Sequence, residues 1–141
     1  MTVSDASAKA IASFLAANSV LASTVDDGIS ASINDQFDNR VVVFSTQATL
    51  RHEHVKGIYD VSGQILVQQS ADSENAETMF SDLCDEVRGL LEDKRNLPSL
   101  IESNSSALRV YTWNMNQQSA NPAERGFQAV FEWQIYAELP N

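Results

Sequence analysis

The residues best suited to chemistry by type and spacing are two histidines in a short charged stretch. Residues 51–56 read Arg-His-Glu-His-Val-Lys and contain both histidines of the chain. In an extended segment, His52 and His54 would project to the same side, as two imidazoles must to share a Zn²⁺ ion. The intervening Glu53 would face away and Cys84 is distant in sequence, so no third ligand is evident. We interpret the stretch as an exposed loop of mixed charge, with a metal site as the alternative.

Other sequence patterns that carry chemistry are missing. There is no Gly-rich phosphate loop, no G-x-S-x-G, no H-E-x-x-H and no C-x-x-C, and the five glycines are scattered. The polar residues 34–39 lack the glycine and the distal glutamate of an EF-hand loop, which favours a solvated loop. None of the nineteen carboxylates stands out as part of a pair in an apolar pocket. The sequence predicts no catalytic residue, no metal ligand and no cofactor.

Length and charge limit the function further. The chain has 141 residues, which predicts a single domain over 1–141. Nine basic and nineteen acidic residues give a formal charge of -10, which disfavours non-specific binding to DNA phosphates or anionic lipid. The single Cys84 is expected to be a small buried hydrophobic residue. No stretch approaches the ~20 apolar residues of a membrane span, and no signal peptide is recognisable. We expect a soluble protein that does not bind membranes.

Strands are predicted where apolar residues alternate with polar ones. Arg125–Leu139 alternates over its whole length, which indicates a long central strand. Ile58–Gln69 also alternates and is interrupted by Gly63, which suggests a bulge or a close contact. Arg40–Phe44 is rich in β-branched residues. Two weaker strands are predicted at Ile29–Ile33 and at Ala107–Met115, the second with Tyr111 and Trp113 on one face and Leu108 and Val110 on the other.

Helices are predicted in two long segments and one short one. A helix capped by Ser4 or Asp5 should end near Ala22, and Ser73–Leu91 carries the clearest apolar stripe of helical period. The other face of this second helix is acidic, which we interpret as a solvated face, with a specific cation or partner site as the alternative. Asn96–Ile101 should form a short helix, since Pro98 suits a first turn. The predicted fold class is α+β: a mainly antiparallel sheet of about four to five strands with two main helices packed on one face.

Two segments without periodicity are predicted to be exposed loops. They are Thr46–Lys56 and Asn116–Glu124, and the second carries almost no apolar residue. Loops of this length on a compact domain often bind partners. Trp113 and Trp133 lie in predicted strands and are expected to pack in the core, with stacking on a ligand as the alternative.

The order of the predicted elements resembles that of tail-terminator or tail-completion proteins of long-tailed bacteriophages. The resemblance covers roughly residue 57 to the end of the chain, and the N-terminal helix and first strands are compatible with it. It rests on the following succession: a long strand (Gly57–Gln69), an amphipathic helix with acidic residues in its first turn (Ser73–Leu91), a short helix with Leu97 and Ile101, a strand (Ala107–Met115), a polar loop, and Arg125-Gly126-Phe127 opening the final alternating strand.

This resemblance implies a structural virion protein without enzymatic activity. Such proteins form a ring, typically a hexamer, that caps the tail tube and joins it to the head-side connector. The implied partners are copies of the chain itself, the tail tube protein and neck proteins, and DNA would pass through the lumen without specific binding. The implied location is the tail or neck of the virion, after synthesis in the host cytoplasm. The candidate contact residues are Arg51, His52, Glu53, His54, Lys56, Gln117, Gln118, Asn121, Glu124 and Arg125.

Other functions fit the same order of elements. A different neck protein such as a stopper, an oligomeric α+β interaction or ligand-binding module, and an enzyme with an unrecognised site all stay open. A ring component should expose a sheet edge or an apolar patch and have no deep pocket. An enzyme should have a concave pocket with convergent polar groups, and a ligand-binding module should leave a tryptophan partly exposed.

Overall fold

The described strands form one sheet, and the described helices form a second layer packed against it. The computed structural model describes residues 2–18, 21, 29–30, 39–50, 57–70, 75–92, 95–105, 108–123 and 126–139, with the backbone alone for 29–30 and 117–123. The described elements are α1 (Val3–Ala16), β1 (Ile29–Ser30), β2 (Asn39–Leu50), β3 (Ile58–Ser70), α2 (Ala76–Leu91), α3 (Leu97–Ser103), β4 (Arg109–Val110), β5 (Asn114–Ala123) and β6 (Gly126–Glu138).

The strands form one sheet in the order β1-β2-β3-β6, with β4 and β5 both pairing with the far side of β6. Only the pairing of β1 with β2 is parallel, and the other pairings between described strands are antiparallel. β4 pairs with the C-terminal end of β6 and β5 with the rest of it, so they follow one another along the same edge. The sheet therefore has five strand positions. The predicted α+β class, with its mainly antiparallel sheet and two main helices on one face, is confirmed.

Alternation along β3 and β6 decides which face of the sheet the helices cover. In β6 the alternate residues from Ala129 to Ala137 are buried, and Phe131 and Ile135 are completely inaccessible. They form one apolar core with Val61 and Ile65 of β3 and the buried side chains of all three described helices. The opposite face, here called the open face, has mostly half-buried side chains: Asp60, Ser62, Gln64, Leu66 and Gln68 of β3, and Gln128, Val130, Gln134 and Tyr136 of β6, with Glu132 exposed. Burial every second residue is the expected result of a strand covered on one side.

Gly63 lies where the sheet leaves no space for a side chain. It pairs with Trp133 across the central strands β3 and β6. On the other side, β2 has a register shift between Ser45 and Gln47, opposite Gly63 and its neighbour Ser62. A Cβ atom on Gly63 would approach the carbonyl oxygen of Phe44 and the Trp133 ring closer than 3.0 Å. Of the two alternatives predicted from this glycine, the close contact is confirmed, while the bulge lies in the neighbouring strand β2.

The helices begin at different residues from those predicted. The N-cap of α1 is Thr2, whose Oγ1 accepts a hydrogen bond of 3.1 Å from the backbone N of Asp5, so the predicted caps Ser4 and Asp5 are wrong. The predicted start of the second helix at Ser73 is also wrong, because α2 begins at Ala76 after Asn75, which has a left-handed backbone with φ of 62°. Asn75 makes no side-chain cap bond, but asparagine tolerates this conformation better than most residues.

The predicted apolar and acidic faces of α2 are confirmed, as is the short helix that follows it. In α2 the residues Phe80, Leu83, Val87 and Leu91 are buried at helical spacing, while most of the acidic side chains opposite them are exposed. The short helix α3 contains Pro98 in its first turn and buries Leu97 and Ile101.

The strand predicted at Ala107–Met115 is interrupted, and its predicted faces are wrong. Residues 111–113 separate β4 from β5. Trp113 turns into the core, where its Nε1 donates a 2.9 Å hydrogen bond to the carbonyl oxygen of Leu91 at the end of α2. Thr112 Oγ1 accepts a hydrogen bond from the backbone N of Tyr136 and so replaces a backbone partner. Val110 and Trp113 are consequently buried together, while Tyr111 is 48% exposed.

The polar segment predicted as the loop Asn116–Glu124 is a strand up to Ala123, so that prediction is wrong. β5 pairs with β6 from Asn114↔Gln134 to Ala123↔Gly126 and forms a hairpin with it. Its register shifts once, between Gln117 and Ser119. The strands pair through backbone groups, and this pairing does not require one face of β5 to be buried. The side chains of β5 therefore show no alternation from which the strand could have been predicted.

Candidate functional site

The predicted contact residues lie in two separate places. Arg51, His52, Glu53, His54 and Lys56 lie outside the described residues, as do Glu124 and Arg125. Gln117, Gln118 and Asn121 belong to β5, where the backbone alone is described. The chain from 51 to 56 joins β2 to β3, and the chain at 124 and 125 joins β5 to β6.

These two connections are at opposite ends of the sheet. Leu50, the last residue of β2, pairs with Tyr59, which pairs in turn with Ala137 near the end of β6. The β5–β6 hairpin closes beside Gly126, the first residue of β6. At the rise of an extended strand, Gly126 and Ala137 are roughly 35 Å apart. The strand ends that flank the two connections are therefore far apart. Of the described contact residues, Gln117 pairs with Phe131 near the middle of β6 and Asn121 pairs with Gln128.

The sheet end at Leu50 also exposes apolar side chains that the sequence did not single out. Leu50 is 38% exposed and Tyr111 is 48% exposed. Tyr111 lies at this end because its hydroxyl donates a 3.1 Å hydrogen bond to Glu138 Oε1, and Glu138 pairs with Ile58. The preceding residues of β2, from Thr46 on, have exposed side chains as well. The interruption after Val110 is what turns Tyr111 outwards, and no pattern in the sequence indicated it.

The open face carries rows of hydrogen-bonded polar side chains. Arg40 Nε donates to Gln68 Oε1 at 2.6 Å, and Gln68 Nε2 donates to Gln128 Oε1 at 2.7 Å. This row crosses β2, β3 and β6 with every donor on the same side. Farther along the strands, Gln134 Nε2 donates to Asp60 Oδ1 at 2.7 Å. Such cross-strand bonds hold the amide groups in fixed positions on the sheet surface.

A shallow groove of about 240 Å³ crosses the same face between β2 and β5. Apart from Gly63, Met115 and Trp133, its lining consists of asparagine, glutamine, serine and threonine with one carboxylate, Glu132. The lining contains a single carboxylate and not the pair of carboxylates in different environments that marks many acid–base sites. Amide and hydroxyl groups instead suit hydrogen bonding to a neutral polar ligand or to a polypeptide backbone.

Both tryptophans are buried, although an edge of Trp133 lines the groove. Trp113 is 4% exposed and Trp133 is 2% exposed, so the predicted packing of both in the core is confirmed. No group of three potential metal ligands occurs within the part of the chain that the structure describes, which leaves out His52 and His54. In the same part, no helix is long and apolar enough to cross a bilayer.

The thiol of Cys84 is buried in the core, as predicted. Burial raises the pKa of this thiol from 9.0 to about 11, while the nearby Arg88 lowers it and Asp85 raises it by smaller amounts. The folded state therefore favours the neutral thiol, and this contribution to stability is lost as the pH rises from 9.0 through about 11. The arrangement is that of a structural cysteine and not of a nucleophile.

Cys84 should accordingly be slow to alkylate in the folded protein. A thiol with its pKa raised from 9.0 to about 11 holds about a hundredfold less thiolate at pH 8, and the thiolate is the reacting form. We expect iodoacetamide to label the native protein at least that much more slowly than the urea-unfolded protein, as followed by mass spectrometry. Equal rates in the two states would show that the thiol is accessible.

Comparison with known proteins adds no relative. No protein-family model matches the chain. A search of curated proteins also finds no match. The function must therefore be inferred from the geometry of the sheet ends, the sheet edges and the open face.

Proposed function

We propose that the protein is a structural ring component of the tail-terminator type, which caps a phage tail tube and joins it to the head-side connector. The observation that supports the proposal is that the β2–β3 and β5–β6 connections, which contain seven of the ten predicted contact residues, leave the sheet at opposite ends. A component that links two bodies along an axis needs a contact surface at each end.

The two lateral edges of the sheet, which run between these ends, differ from each other. One edge is formed by β1 and the rest of β2, and the other by β4 and β5. A ring of identical subunits that meet head to tail requires two unlike surfaces on each protomer. If the two edges face neighbouring subunits, the strands run at a tilt to the ring axis, because β5 and the outer edge of β2 beyond β1 are offset along the strands. The sheet ends then point towards the tube and the connector.

The end with Leu50 and Tyr111 is the better candidate for contact with a tube. Both side chains are more than one third exposed, and apolar groups of this kind are released from water on binding. At the opposite end the aromatic rings of Phe80 and Phe127 stack with their centroids 5.4 Å apart, which fixes α2 against the first residues of β6. This packing supports the end of the sheet at which β5 and β6 form their hairpin.

The charge of the chain agrees in sign with a DNA-conducting lumen. The formal charge is -10, and the open face carries the carboxylates Asp60 and Glu132 as well as Arg40. A lumen wall with net negative charge would repel phosphate, so that a duplex passes without being held. No specific recognition of DNA is part of this proposal.

A second candidate is a small oligomeric module that binds a polar ligand. The groove of about 240 Å³ on the open face, with its amide and hydroxyl lining, favours it. The burial of both tryptophans removes the aromatic platform that many such modules use. Because this platform is lacking, we rank the ligand-binding module second to the ring component.

The native mass of the purified protein tests the ring. Light scattering after size exclusion, over micromolar to millimolar concentrations, should give a discrete assembly of about six protomers of 15.5 kDa each. A closed ring stops growing at one size because its last interface joins its first subunit. A monomer at every concentration, a simple dimer or an open-ended series of sizes would contradict the proposal.

A further inference from the structure

Two edges of the sheet present backbone groups that no described strand covers. β5 packs against β6 and makes little contact with any other described element. On the other side of the sheet, β1 pairs with Val41 and Val42 alone, so β2 from Val43 to Leu50 has no strand partner on its outer side within the described chain. An unpaired strand edge is a ready template for another strand.

Neither edge carries the charges that usually prevent such pairing. Val41–Leu50 and Asn114–Ala123 contain no Asp, Glu, Lys or Arg, although the chain has nine basic and nineteen acidic residues. Natural sheets commonly place charged side chains on exposed edges to keep copies apart. A protein with a charge of -10 repels its own copies most weakly where two uncharged surfaces meet. This pattern favours a second copy of the same chain as the partner.

The directions of the strands match for such a contact. β3 runs antiparallel to both β2 and β6, and β5 runs antiparallel to β6. β5 therefore runs opposite to β2. When β5 of one copy is placed beside β2 of the next, the antiparallel alternation continues across the contact and the helices can stay on one side of the extended sheet.

We propose that β5 of each protomer pairs antiparallel with the outer edge of β2, from Val43 to Leu50, in the next protomer. This inference rests on the ring proposed above and names the surfaces through which it closes. Each of the two strands has a register shift, at Ser45/Gln47 in β2 and at Gln117/Ser119 in β5. Bulges bend and twist the strand that contains them, and a sheet that closes on itself must bend.

Cross-linking of cysteines placed on the two edges tests this contact directly. Thr49 pairs with Asp60 and Asn116 pairs with Glu132, so both project from the open face, and both are exposed. We would make Thr49→Cys and Asn116→Cys separately and together, and treat them with a flexible bismaleimide at millimolar protein concentration. Thr78→Cys, at an exposed position on α2, replaces either partner as the matched control. The unmodified protein, whose single Cys84 is buried, is the control for cross-linking through the native thiol.

The expected result is a covalent dimer when Thr49→Cys is mixed with Asn116→Cys, and none when either is paired with Thr78→Cys. The double variant should give a ladder that ends at the number of protomers found by light scattering. Circular dichroism should show all variants folded, since each substitution replaces an exposed side chain.

Three outcomes would overturn the inference, and they separate it from the ring itself. Cross-linking of Asn116→Cys with itself would indicate a two-fold β5–β5 contact in place of a head-to-tail one. A discrete ring by light scattering without the mixed cross-link would mean that the ring closes through other surfaces. A monomer at every concentration, with no cross-link, would overturn both the pairing and the ring.

Discussion

Replacing Gly63 with alanine is expected to lower the free energy of unfolding by about 3 kcal/mol. The added Cβ would come closer than 3.0 Å to the carbonyl oxygen of Phe44 and to two ring atoms of Trp133. The first contact is with the backbone of the neighbouring strand, and the second is with a ring that is 2% exposed in the core. Neither can move without disturbing β2 or β6. Urea denaturation followed by circular dichroism, at a fixed protomer concentration, measures the change.

The same substitution at Gly89 is the matched control and should have the opposite sign. Gly89 is an exposed residue in the interior of α2, and a Cβ there would meet no atom within 4 Å. Alanine in a helix interior is more stable than glycine by up to about 1 kcal/mol. A stabilised Gly89→Ala together with a destabilised Gly63→Ala would assign the effect to the packing around Gly63. If Gly63→Ala were as stable as the native protein, the contact between β3 and Trp133 would be looser than the structure has it.

Replacing Phe131 with alanine is expected to cost about 4 kcal/mol of unfolding free energy. Phe131 is completely buried in the middle of β6, in the core between the sheet and the helices. Its removal takes away buried apolar surface and leaves a cavity that close-packed neighbours fill only partly. The variant should unfold at a correspondingly lower urea concentration with an unchanged denaturant slope.

Val130→Ala is the control for Phe131→Ala, because the neighbouring residue lies on the other face of the same strand. Val130 is half-buried on the open face and should cost less than about 1 kcal/mol. A large loss at Val130 would mean that the open face is covered within the protomer. In that case it would not be free to line a lumen or to meet a partner.

The parts of the fold that the sequence predicted well are those in which side chains decide the structure. Phe131, Trp133 and Ile135 alternate with polar residues because the helices cover one face, so the period of two was visible in the sequence. The stripe on α2 was visible for the same reason. The close contact at Gly63 could also be predicted, because glycine in the interior of a strand often occurs where another group approaches the backbone closely.

The predictions were wrong where backbone pairing or contacts between distant residues determine the structure. β5 is a strand because β6 lies beside it, and its polar residues carry no period that could have indicated this. Trp113 leaves the expected alternation because Leu91, distant in sequence, offers a carbonyl oxygen in the core. Of the predicted contact residues, those at 51–56 and at 124 and 125 lie outside the described chain, while Gln117, Gln118 and Asn121 belong to β5. The sequence could not indicate that these three lie in an edge strand, because this depends on the pairing of β5 with β6.

The burial of both indole rings determines which optical signals can follow this protein. Trp113 and Trp133 are shielded from water within the protomer, and Trp113 already has its hydrogen-bond partner there. Their emission should therefore shift to longer wavelength when the chain unfolds and stay constant when folded copies associate. Intrinsic fluorescence thus reports the folding of a protomer separately from its assembly. A dye attached to the Asn116→Cys variant, on the exposed edge strand, would report association under conditions in which the tryptophan emission stays constant.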